Sequence, residues 1–68
     1  MTEKQAKIVM AFARNTMNMH EAGRSLFLHP PSVLYILTRV YEQTGKNPRE
    51  FFDLCYLVGI AAQMGGGK

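Results

Sequence analysis

The chain has 68 residues, 47% of them apolar, with eight Lys and Arg against five acids and a formal net charge of +3. That length holds one small domain, which buries only about 60% of its unfolded surface and needs a rich core or a partner to be stable. The apolar share excludes a disordered chain, no apolar run reaches the roughly 20 residues that span a bilayer, and the mild basicity permits phosphate contacts without demanding them.

Four helices are expected, and no segment keeps the period-2 alternation of a strand. Thr2 with Gln5 forms a capping box that opens helix 1 at about residue 3. Ile8, Val9, Phe12 and Thr16 then share one face, with Lys4, Lys7, Ala11 and Arg14 on the other. Asn18 with Glu21 makes a second box for a short helix 2, about 19 to 27. Helix 3 starts at Pro30 and Pro31, tolerated in a first turn whose N–H groups lack intrahelical partners, and Gly45 suits its left-handed end. Val33, Ile36, Leu37 and Val40 form its inward stripe at i, i+3, i+4 and i+7. Asn47, Pro48 and Glu50 signal a further start, so helix 4 is expected over about 48 to 63. The predicted organisation is a single domain over 1–63 followed by a flexible Gly-rich tail over 64–68.

Helices 2 and 3, joined by a very short connection, form a helix-turn-helix pattern. With Met19 as its first position, Ala22 and Gly23 are small where the two helices approach. Leu26 and Leu28 flank the turn, and Val33 and Ile36 are core contacts of the second helix. Helix-turn-helix units often have glycine where Phe27 stands, so a different turn geometry with the Phe27 ring anchored between helices is expected.

The stretch EAGRSLFLHPPSVLYILTRVYEQTG also resembles a named family, the C-terminal helix-turn-helix domain of PucR-type and sugar-diacid-type bacterial transcription regulators. Ala22, Leu26, Phe27, His29, Val33, Tyr35, Leu37, Arg39, Val40, Glu42, Thr44 and Gly45 carry the resemblance, with Ser32 in place of a threonine. NPREFFDLCYLVGIA is similar to the family's last helix, so the likeness covers residues 18 to 61. It implies an all-α fold, a tri-helical helix-turn-helix core plus a fourth C-terminal helix. The implied function is sequence-specific binding of double-stranded DNA with helix 3, residues 30–44, as the reader. Members usually carry this domain at the end of a long protein. Standing alone, it resembles small regulators of bacteria, phages or mobile elements. Where the family pattern has arginine or asparagine, this chain has Pro30, Pro31, Leu34, Ile36 and Thr38.

On a helical wheel Pro31, Tyr35, Thr38 and Glu42 point outward, flanked by Ser32, Arg39 and Leu34. Ser32, Tyr35 and Arg39 are the candidate DNA contacts on helix 3. Arg24, His29, Lys46 and Arg49 are candidates around it, with Arg14 behind them. Simpler roles stand beside these: capping and packing for His29, a solvated surface for each cation. The alternative function is a protein–protein interaction module that keeps the frame without reading DNA.

Neither His20, His29 and Cys55 nor the five acids have the spacing of a metal site or an acid–base pair, so no metal, cofactor, catalytic residue or small-molecule substrate is expected. Cys55 reads as a buried packing residue that cannot form an intrachain disulfide. With no signal peptide before Met1, a cytoplasmic protein without membrane contact is expected. Helix 4 is apolar nearly all round. If Phe51, Leu54, Cys55 and Val58 face the core, then Phe52, Tyr56, Leu57 and Ile60 remain as a homodimer interface beside Gly59.

Overall fold

A computed structural model describes residues 1–64, and the expected tail from Gly65 onward lies outside the described residues. Four helices follow one another: α1 over Glu3–Arg14, α2 over Met19–Ser25, α3 over Pro30–Thr44 and α4 over Phe51–Gln63. The fold is all-α, with no strand among the described residues. Helix α1 packs on each of the other three, and α2 packs on α3.

The start of α1 follows from its capping box. Thr2 accepts from the Gln5 N–H, and the Gln5 side chain accepts from the Thr2 N–H at 2.9 Å. The same Gln5 donates to Gln43 Oε1 at 3.0 Å, so the residue that opens α1 also ties it to the last turn of α3. Asn18 caps α2 by accepting from the Glu21 N–H, the forward half of the expected box.

The ends of α1 and α2 share one device. Met17 N–H reaches back to Phe12 O and Leu28 N–H to Gly23 O, at 2.8 and 2.7 Å, while Thr16 and Phe27 take φ of 54° and 59°. Both are Schellman ends, in which a left-handed residue lets the chain turn back over the last carbonyls. Two expectations are corrected here. Thr16 lies outside α1 and is exposed, not part of the apolar face, while Ala11 is buried rather than outward. Helix α2 ends at Ser25 rather than 27, because Phe27 occupies the left-handed position that a glycine often fills.

That position overturns both the different turn geometry and the buried ring expected of Phe27. Its ring is 97% exposed. The turn is made tight by Gly23 instead: a Cβ there would stand 2.5 Å from Leu28 O. Gly45 ends α3 at φ 74° as expected.

Helix α4 starts at Phe51, three residues later than the expected 48. Asn47 accepts from the Arg49 N–H through its side chain, which makes a turn rather than a helix cap. Pro48, within that turn, is fully buried, and Glu50 supplies the real cap by accepting from the Phe52 and Asp53 N–H groups.

The core joins Ala6, Ile8, Val9 and Phe12 of α1, Ala22 of α2, Val33, Leu37 and Val40 of α3, and Leu54, Leu57 and Ala61 of α4. Ile36 packs against its edge, half-buried. On α4 the expected phase is wrong: Leu57 is fully buried, while Phe51 and Cys55 are exposed. The inward stripe is Leu54, Leu57 and Ala61, at i, i+3 and i+7.

Candidate nucleic-acid interface

One side of α3 faces solvent along its length. Pro31, Ser32, Tyr35, Thr38, Arg39 and Glu42 are all exposed, Tyr35 at 66%, and Leu34 is half-exposed beside them. This is the outward stripe that the wheel gives. Packing fixes it, since Val33, Leu37 and Val40 on the opposite side are completely buried.

The N-terminus of α3 is unusual. Pro30 and Pro31 hold its first two positions and carry no N–H, and the next N–H, of Ser32, is taken by His29 O at 2.9 Å. A helix N-terminus ordinarily offers free N–H groups to an anion; here these positions offer none. The same fact explains His29. It occupies the N-cap position with no side-chain cap bond, because no N–H is left for it to cap. It is exposed, so neither capping nor packing accounts for its side chain.

Cations flank the stripe on both sides. Lys4 of α1 lines a hollow with Leu28, Pro31, Ser32, Tyr35 and Ile36. Arg49, ahead of α4, lines another with Leu37, Thr38, Tyr41 and Asn47. Lys7 joins Lys4 around Leu26 and Leu28, one turn further along α1. An exposed helix face with positive charge at each edge is the arrangement that seats a helix in a groove between two phosphate backbones.

The remaining candidates are less free. Arg39 donates to Glu42 at 3.2 Å and Arg24 lies 3.7 Å from Glu21, both exposed i,i+3 pairs that contribute little and exchange easily with solvent. Lys46 places its ammonium 5.2 Å from the centre of the Tyr56 ring, so it leans on α4 rather than along α3. Of the cations expected around helix 3, the structure thus sets Arg49 beside the stripe. It adds Lys4 and Lys7, which sequence reasoning left on the outer face of α1. Their i,i+3 spacing marks a charged face, but only the packing of α1 on α3 shows what that face adjoins.

The chain matches the model of the PucR C-terminal helix-turn-helix domain over residues 6–59. It belongs to that family. The match runs from α1 into α4, so the likeness seen over 18 to 61 extends to α1 as well. Domains of this family are generally parts of DNA-binding regulators and are typically not catalytic. No curated protein and no solved structure matches the chain. No described helix is long and apolar enough to cross a membrane.

The expected dimer surface needs correction. Phe52 and Tyr56 are exposed at 77% and 57%, Ile60 is half-buried, and Leu57 belongs to the core. The exposed arc of α4 is instead Phe51, Phe52, Cys55, Tyr56 and Gly59, with the two phenylalanine rings edge to face at 5.4 Å. Beside it, an apolar hollow of about 560 Å³ opens between α4 and the end of α1, lined by Ala13, Met17, Leu54 and Val58 among others.

Proposed function

We propose that this domain binds double-stranded DNA sequence-specifically, as a small transcriptional regulator acting in the cytoplasm, with α3 in the major groove. The observation that carries this reading is the exposed stripe of α3 with Lys4 at one edge and Arg49 at the other. The major groove is about 12 Å wide and admits a helix, and the cations beside that helix then meet phosphates. Tyr35 and Ser32 contact base edges or phosphates from the stripe itself, and Arg39 and Arg24 exchange their glutamate partners for phosphate. His29 and Lys46 stand at the periphery.

The exposed arc of α4 supports a two-fold dimer as the working unit. Contiguous exposed aromatic surface is uncommon on a stable monomer. Paired subunits would set two α3 helices about one turn of duplex apart, roughly 34 Å, on palindromic sites.

The test is a duplex titration at several salt concentrations. Each phosphate contact adds about 0.9 to the slope of log affinity against log salt. Lys4→Ala and Arg49→Ala should each weaken binding and flatten the slope by about 1. Binding that is indifferent to salt, or unchanged in both variants, would contradict the reading and leave apolar docking to a protein as the use of this face.

A further inference from the structure

The side of α3 that faces solvent is poor in the groups that read guanine and adenine. Bidentate recognition of guanine uses Arg or Lys, and of adenine Asn or Gln. Residues 30–38 of α3 carry none of these: their outward positions are Pro31, Ser32, Leu34, Tyr35 and Thr38. Further along, Arg39 pairs with Glu42 at 3.2 Å and goes to a phosphate in the proposed reading, and Gln43 accepts from Gln5 at 3.0 Å. Thr38 commits its hydroxyl proton to Leu34 O at 2.9 Å, which leaves its methyl and an oxygen that can only accept. With no free N–H on the two prolines, the backbone offers no reader in their place.

What this surface does present is apolar: the Pro31 ring, the half-exposed Leu34 chain and the Thr38 methyl, bordered by the Tyr35 ring and the Ser32 hydroxyl. The apolar feature of the major groove is the C5-methyl of thymine. We infer that α3 selects its site by thymine methyl groups rather than by guanine edges, so that its preferred duplexes are rich in A·T pairs at the positions beneath Pro31, Leu34 and Thr38. The inference rests on the proposed DNA reading and names the chemistry that the reading surface takes. The flanking cations set affinity, and the methyl contacts set the choice among sequences.

Removing a thymine methyl is chemically clean, because deoxyuridine keeps every hydrogen-bonding atom of the base. Preferred sites are first selected from a randomised duplex pool by the wild-type protein. Thymines of the selected site are then replaced by deoxyuridine one at a time, and binding is titrated. The expected result is an A·T-rich core in which about fourfold affinity is lost at each contacted position, the fold-change that corresponds to burying one methylene-sized group. Leu34→Ala should abolish the loss at one thymine while preserving it at the others. A selected core of G·C pairs, or an A·T core indifferent to deoxyuridine, would overturn the inference and leave sequence-specific binding standing. A pool from which no sequence is enriched would overturn both.

Discussion

Phe27 holds a left-handed backbone that costs a residue with a Cβ roughly 1–2 kcal/mol, and its ring gains no burial in return. The strain is sustained by the turn around it, where Leu28 N–H closes on Gly23 O. Gly23 is the opposite case, a residue whose missing side chain is what permits the closure. Two substitutions should therefore move stability in opposite directions. Phe27→Gly should raise it by about 1 kcal/mol, since strain is relieved and no cavity forms. Gly23→Ala should lower it by about 1–3 kcal/mol, because the new methyl meets backbone that cannot turn aside. Urea unfolding reads both, and a loss near 3 kcal/mol for Phe27→Gly would mean that the ring is buried after all. The turn was hard to read in advance for the same reason: a helix end marked by Phe or Thr at φ near 60° has none of the signal that Gly45 gives.

At the level of elements, α3 was legible almost to the residue. Its prolines, its terminal glycine and its regular apolar stripe all agree. Helix α4 was not. Its start was misplaced because Asn47 and Pro48 make a turn that looks like a cap. Its inward phase was misread because nearly every position is apolar, so hydrophobic periodicity has no preferred angle there. Packing on α1 decides the phase, setting Leu54, Leu57 and Ala61 inward and Phe51, Phe52 and Tyr56 outward. The two faces separate by experiment. Leu57→Ala should cost about 2–5 kcal/mol of folding stability. Phe52→Glu should leave the melting transition nearly unchanged, since an acid suits the first turn of α4, while converting the proposed dimer to monomers in sedimentation. A wild type that sediments as a monomer at high micromolar concentration would contradict the dimer.

Across the whole molecule, the family and the helical frame follow from short-range pattern, which is why the helix-turn-helix could be placed from residues 18 to 45. The edges of the candidate surface could not. Lys4 and Arg49 lie far apart in sequence and reach the two sides of α3 only through tertiary packing. The charge that supports the proposed DNA binding is therefore supplied largely from outside α3, by α1 and the turn ahead of α4. The most direct measurement is a map of amide chemical-shift changes when a selected duplex is added to the labelled protein. Changes should concentrate at Ser32 to Arg39, around Lys4 and at Arg49, with the Leu54–Leu57–Ala61 side of α4 quiet. Changes confined to Phe51, Phe52 and Tyr56, with α3 unmoved, would contradict DNA binding through α3.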